Sequence, residues 1–451
     1  MPTTTVPFSS SPLFHSMLWT SFRRTVFGLV LSGLIFVAAD TARAQTLTVL
    51  HSFTGGGDGA TPLAGLVMDG AGNLYGTASA GGAGHGTVFK LANHGSSWVF
   101  LPLYSFQGSN DGAVPLAVLT IGPDGSLFGT TESGGIPGDC DGLGCGTVFN
   151  LRPPPTRPSS VIAPWDETVL FRFSQAMSLG FYPYSEVTFD AAGNLYGTVA
   201  DTDSPQSRVE RAPSGNCANC GSVYELTRSG NNWTETLLYS FPGSDVGEAP
   251  LGGVIFDQAG NLYGTASGGG HCGYGIVFEL TPGQSGWTEQ TIQAICGGLG
   301  GANPSSTLLL SSGTLYGGTP GEPLGFGDVP GSVFTLTSSG GEWHYTSLHT
   351  FGFYGIGPAG ALALDSAGNL YGTTAIGGIT AGVCAPSGCG TVWELSPSGG
   401  GWSYTELYDF TGGADGAAPH SRVTLDASGH LYGTTSAAGA SGFGTVWELT
   451  P

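Results

Sequence analysis

The sequence predicts an all-β fold: a seven-bladed β-propeller with four antiparallel strands per blade, its ring closed by an N-terminal strand that completes the last blade. Three observations predict it. The first is a phrase, "DGAGNLYGT" at 69–77, which returns at 190–198, 257–265, 365–373 and 426–434 with one to three changes, and as the looser "LFGT" (127–130) and "LYGG" (315–318). The second is that short runs rich in Val, Leu, Phe, Tyr and Trp alternate with Gly, Pro, Ser and Asn, while no stretch after residue 45 sustains a 3.6-residue period. The third lies at the two ends of the chain, which complement each other.

Taken in order, the first element is not part of the fold. Arg23 and Arg24 precede the apolar "TVFGLVLSGLIFVAA", and "ARA" at 42–44 supplies a small-x-small cleavage pattern, so 1–44 is expected to be a signal peptide. The long upstream stretch makes Met17 an alternative start. A membrane span over 26–39 is disfavoured, because about 20 apolar residues are needed to cross a bilayer. The "RR" pair fits twin-arginine export poorly in its other residues.

From residue 45 a single domain is expected. Each unit opens on a proline (Pro62, Pro115, Pro183, Pro250, Pro304, Pro358, Pro419), followed by a short apolar run, a Gly-containing turn and the "LYGT" strand. After a variable loop comes Gly-x-Val-aromatic-x-Leu, as in "GTVFKL" (86–91) and "GTVWEL" (390–395, 444–449), then a Trp-led run such as "WTETLLYSF" (233–241). Four strands per unit mean one propeller blade, with blades near 62–107, 115–174, 183–242, 250–297, 304–352, 358–411, and 419–451 plus 46–54. Both faces of such a sheet are covered by neighbours, so near-continuous apolar strands are expected. The chain stops on a third strand, and "TLTVLHSF" (46–53) matches the missing fourth.

Charge narrows the partners. Without 1–44 the chain keeps eight Lys+Arg against 31 Asp+Glu, a net charge of −23. Such a surface repels phosphate backbones and anionic lipid, so nucleic acid and membrane surfaces are poor partner candidates and no nucleic acid is expected. No membrane span remains once the signal is removed, and a monomer is expected.

"DxxGN" between the first two strands reads as hairpin chemistry, with Asp accepting backbone N–H groups and Gly turning left-handed. Calcium is the rival reading, since Asp and Asn carry oxygen ligands. Gly122 and Ser311 stand where two copies would need the Asp, so turn chemistry is adopted. Strand parity puts these turns on one face, and the 2–3 loops and blade-to-blade crossings on the other. The second face varies most, and variable loops on a rigid frame are where function concentrates.

Candidates therefore come from that face. Crossing phrases such as "GGGDGATP" place Asp58, Asp111, Asp245 and Asp415 around one rim, read as turn stabilisers or as an acidic ring for Ca²⁺ or a polyol. His85 and His271 lie in Gly-rich loops and lack an acidic partner nearby, so no metal site is assigned. The loop 199–220, with Asp201, Asp203, Arg208, Glu210 and Arg211, is the least repeat-like stretch there and a candidate recognition element. Tyr274, Phe326 and Phe443 are candidates to stack on sugar rings.

Eight cysteines in an exported chain imply disulfides. Cys140/Cys145, Cys217/Cys220 and Cys384/Cys389 would staple 2–3 loops, each worth roughly 2 kcal/mol. Parity places Cys272 and Cys296 on the same face, so they too can pair. Zinc competes at "CANC" (217–220), without a second close cysteine or histidine pair to complete it.

The recurrence of "GNLYGT" followed by "GTVF/WEL" resembles the GloVer tandem-repeat family, called choice-of-anchor for the C-terminal sorting anchors of many members, and covers 46–451. The resemblance implies propeller-like repeats and no catalytic residue. This chain ends on a strand without an apolar anchor, which favours a free secreted or periplasmic protein. The function expected is a binding module for a polysaccharide or an extracellular protein. A glycosidase or lyase using rim carboxylates, and a structural envelope repeat protein, are the alternatives. No cofactor is expected, Ca²⁺ being the one ion considered.

Overall fold

In the computed structural model the described residues are 45–154, 165–176, 180–200, 220–230, 232–322, 329–352 and 357–450. They form seven four-stranded antiparallel sheets. The first blade runs Val67–Met68, Leu74–Ala78, Thr87–Asn93 and Trp98–Ser105, in sequence order from the axis outward. The last sheet is made of Thr424–Leu425, Leu431–Thr435, Thr445–Thr450 and, on its outside, Thr46–Ser52. Thr46 pairs with Thr450 and Val49 with Trp447, so the two chain ends close the ring as expected.

The innermost strands are shorter than their apolar runs. Only two or three residues of each join the ladder, because the proline and the small residues after it lie against neighbouring blades instead. The core accordingly sits between sheets. Leu66, Leu74, Phe89 and Leu91 of the first blade pack with Phe53, Tyr432 and Val446 of the last.

Each letter of "LYGT" has a separate task. The leucine is buried, at 0% exposure in Leu74 and Leu195. The tyrosine hydroxyl reaches the turn aspartate, as Tyr75 does to Asp69 at 3.0 Å. In four blades it also faces the glutamate of the third strand, as Tyr196 does to Glu225 at 2.9 Å. The glycine makes room for the third-strand aromatic; a Cβ at Gly76 would lie 2.6 Å from the Phe89 ring. The threonine locks blade to blade. Thr130 Oγ1 donates to the Ser185 carbonyl at 2.9 Å, and Thr434 Oγ1 to that of Ala64 at 2.9 Å, with the same bond from Thr77, Thr198, Thr265 and Thr373. A buried bond of this kind contributes about 1 kcal/mol. In the fifth blade Gly318 stands there, and a Cβ would meet Pro358 at 2.8 Å.

The turn aspartates behave as turn residues. Asp69 Oδ1 accepts the N–H groups of Ala71 and Asn73, both at 2.9 Å, while Oδ2 takes the Asn73 amide and the Tyr75 hydroxyl. Asp190, Asp257 and Asp365 repeat the set. Where Gly122 replaces the Asp, Asp124 caps from within the turn by accepting Ser126 N–H and Oγ–H. At Ser311 the turn shrinks to Ser312–Gly313, both with positive φ.

Candidate functional site

The loop-rich face is held together by backbone. Crossings and 2–3 loops bridge at Ala60–Ala80, Ala113–Ser133, Glu248–Gly268 and Ala417–Ala437. The residue before six of the seven opening prolines then donates its N–H to the previous blade's loop: Thr61 to Phe443, Val114 to His85, Tyr182 to Cys145, Ala249 to Cys220, Asn303 to Tyr274 and Ala418 to Cys389. All six donors have φ between 52° and 63°, a strained region for non-glycine residues. His85, Tyr274, Phe443 and three half-cystines thus occupy one equivalent position.

This placement defines what the candidate aromatics can offer. A Cβ on Gly55 would lie 2.7 Å from the Phe443 ring, and one on Gly297 3.1 Å from that of Tyr274; His85 covers Gly108 in the same way. One ring face is therefore committed to the crossing. Phe443 remains 42% exposed and keeps surface for a ligand. Asp201, Asp203, Arg208, Glu210, Arg211, Cys217 and Phe326 lie outside the described residues.

Three of the four rim aspartates are engaged in their crossings. Asp58 Oδ2 accepts Thr54 N–H at 2.9 Å and lies 3.0 Å from His51 Nε2. Asp415 accepts Thr411 N–H at 2.8 Å and the Tyr408 hydroxyl at 3.0 Å. Asp111 accepts Gln107 N–H at 2.8 Å and the Tyr104 hydroxyl at 2.9 Å. Its Oδ1 is buried without a partner, as is Glu167 Oε1. Burial, and then the charge of Asp111, push the Glu167 carboxyl up to about 7. Asp245 is exposed in a 3₁₀ turn, Ser244–Val246.

Cysteine pairing follows the expected scheme where described. Cys140–Cys145, Cys272–Cys296 and Cys384–Cys389 are bonded, and Cys220 is also in a disulfide. His271 sits by the second of these bonds, with Nε2 3.6 Å from Cys296 Sγ.

The sequence reading missed a cleft where the fifth blade meets the sixth. His349, Phe351, Gly352, Thr374, Gly378, Thr391, Tyr404 and Glu406 line about 330 Å³, the lower end of the roughly 300–1,000 Å³ usual for ligand sites. His349 and Tyr404 stack at 4.3 Å, and Phe351 meets both edge-on. Beside them Glu406 and Asp409 form a carboxyl pair. The hydrogen bond to Asp409, then burial, raise the Glu406 carboxyl to about 7. Asp409 Oδ1 is buried without a partner. Burial holds His349 below its ordinary value, and burial followed by the Glu406 charge pushes Tyr404 up to about 12. The crossing "FGFYGIGP" (351–358) has no aspartate, but neither do the crossings at 174–183 and 297–304, so the sequence carried no signal that singles this junction out.

A second departure lies at the axis. Positions three after each proline form an inner ring: Gly65, Val118, Glu186, Gly253, Thr307, Ala361 and Arg422. Their closeness is direct, since a Cβ on Gly65 would lie 3.0 Å from Arg422 Cβ, and one on Gly253 3.1 Å from the Glu186 carbonyl and from Thr307 Oγ1. Glu186 and Arg422 are the charged members. His420, two residues before Arg422, is exposed.

The repeat grammar, its seven-sheet ring and the letter-by-letter roles of "LYGT" now meet a family match. The Gloeobacter/Verrucomicrobia repeat model matches residues 28–207 and 211–447. The chain belongs to this family. Among solved structures, this Gloeobacter/Verrucomicrobia repeat protein is similar to a fungal alcohol oxidase in complex with copper, at 13% identity and TM-score 0.49 over 90% of this chain and 76% of that one. It is also similar to the periplasmic gluconolactonase of Pseudomonas aeruginosa, at 15% identity and TM-score 0.44 over 80% and 91%. A third is a 6-phosphogluconolactonase candidate from Bacteroides uniformis, at 14% and 0.43 over 83% and 89%. No curated protein matches.

Proposed function

We propose that the protein is an exported binding module that takes a polysaccharide through its loop-rich face, with the cleft between the fifth and sixth blades as a sugar subsite. The observation that carries this reading is the cleft's composition: a His–Tyr–Phe aromatic wall beside a carboxyl pair that can both donate and accept hydrogen bonds near neutral pH. A sugar ring presents apolar C–H faces and a fringe of hydroxyls, which asks for both kinds of group. Phe443 and the loop 199–220 are proposed as further contacts on the same face. The disulfides support an oxidising compartment, and 1–44 is proposed as the export signal. No helix among the described residues is long and apolar enough to cross a membrane.

The carboxyl pair itself argues against glycosidase chemistry at the cleft. Glu406 and Asp409 are hydrogen-bonded, whereas hydrolytic pairs stand about 5–10 Å apart to admit a sugar and water. A second reading, a carbohydrate-active enzyme, draws support from the axis, where Glu186 and Arg422 are the charged members of an otherwise uncharged inner ring. One experiment separates the two. The mature protein is screened against polysaccharides with and without chelator, reading melting shift and product release together. A shift without product, weakened by Tyr404→Ala, is the expected result. Product release lost in Glu186→Gln would replace it with the enzyme, and no shift on any polysaccharide would remove both.

A further inference from the structure

The described disulfides are unlike one another. Cys140 and Cys145 are 0% exposed, Cys384 4% and Cys389 7%. By contrast, Cys296 is exposed and Cys272 half-buried. The exposed bond also has an imidazole beside it: His271 Nε2 lies 3.6 Å from Cys296 Sγ, and these three side chains bring their N and S atoms within 4.8 Å of one another. Among the described residues, no histidine contacts either buried disulfide.

We propose that Cys272–Cys296 is a thiol-exchange site, opened by a low-molecular-weight thiol, with His271 as the group that stabilises the departing sulfur. Exchange rates depend on access to the sulfur attacked, here the half-buried Cys272, which is more open than the fully buried half-cystines, and on how well the other leaves as thiolate. A neighbouring imidazole that donates its N–H to the thiolate improves the leaving group. Attack comes at Cys272 Sγ. The incoming thiolate forms the new S–S bond there, the Cys272–Cys296 bond breaks, and its electron pair departs on Cys296 Sγ, which accepts the N–H of His271. Nothing is lost or gained overall: one disulfide and one thiolate become a mixed disulfide and a new thiolate. The Cys296 thiolate can attack back and restore the original bond, releasing the thiol.

The location gives the chemistry a consequence. The bond ties the fourth blade's 2–3 loop to its crossing toward the fifth, where Tyr274 covers Gly297 and Leu299 is 72% exposed. Opening it frees one edge of the loop-rich face without touching the buried staples.

The test uses the full mature chain and limiting reduced glutathione, with acid quench, iodoacetamide alkylation and peptide mass spectrometry. The expected first product carries glutathione on Cys272 and carbamidomethyl on Cys296, and His271→Gln slows its appearance about tenfold. The Cys272→Ser/Cys296→Ser double variant should gain no adduct over the same interval. A first adduct at any of the other six cysteines would overturn the proposal. So would an unchanged rate in His271→Gln, whose exposed position leaves the fold undisturbed.

Discussion

Two junctions of the ring start from the same parts and end differently. Where the seventh blade meets the first, His51 stacks on Phe100 at 3.8 Å; where the fifth meets the sixth, His349 stacks on Tyr404 at 4.3 Å. In each, a phenylalanine two residues later packs edge-on against the pair, Phe53 or Phe351. At the first junction the crossing supplies Asp58, which binds His51 and Thr54 and leaves both His51 and Asp58 under 20% exposed. At the second, no crossing aspartate exists, and the histidine opens onto a cleft with Glu406 at its edge. The two joints thus differ in the group facing the histidine, an aspartate in one and an open volume in the other; a missing crossing aspartate is not sufficient for this, since the crossings 174–183 and 297–304 lack one too.

The largest effect that could break this comparison is in the two phenylalanines. Phe53→Ala should cost about 3–5 kcal/mol in urea unfolding, the range for emptying a packed aromatic site. Phe351→Ala should cost clearly less, because its ring borders a cleft that water can enter. Equal losses would mean that the two junctions are packed alike. Next is Asp58→Ala, expected to cost about 2 kcal/mol through the charged hydrogen bonds it removes, measured in the same way. Burial pushes the Asp58 carboxyl up, but the bonds from Thr54 and His51 outweigh it and the net value lies below 3.8. Its stabilisation is therefore present above that value and lost as pH falls through the folded one.

Glu406→Gln sharpens the contrast through pH. The folded carboxyl, at about 7, is above its ordinary value of 4.5, so the folded state holds the proton more tightly. Its stabilising contribution is full below about 4.5 and lost as pH rises through about 7. Melting temperature minus that of Glu406→Gln should decline across this window. A flat difference would mean that the cleft does not raise the Glu406 carboxyl. Smallest is Phe443→Ala, which caps the sealed junction at Gly55 from a position 42% exposed. It should cost about 1 kcal/mol or less.

Much of the frame was legible because its determinants are local. The turn aspartates, the opening prolines and the strand runs each act within a few residues, and seven copies average away the ambiguity of any one. The complementarity of "TLTVLHSF" with the last blade was legible for the same reason. The bulges were not. In every blade the fourth strand slips by one residue against the third, as between Val88↔Tyr104 and Phe89↔Pro102, and the extra Leu103 turns inward to 6% exposure. A strand of period two gives no sign of such a slip until its neighbour is in place.

The candidate site divides along the same line. Sequence alone determined the seven-fold ring, its closure by the two ends, and which face carries the variable loops, since these follow from nearest-neighbour chemistry repeated in order. Only the tertiary structure decided that the rim aspartates are largely consumed by their own crossings, that His85, Tyr274 and Phe443 share one position with the half-cystines, and that His349, Tyr404 and Glu406 meet around an open volume. Those facts depend on contacts between blades, where residues some 50 positions apart in the chain come within a few ångströms, and no local pattern records which of them will touch.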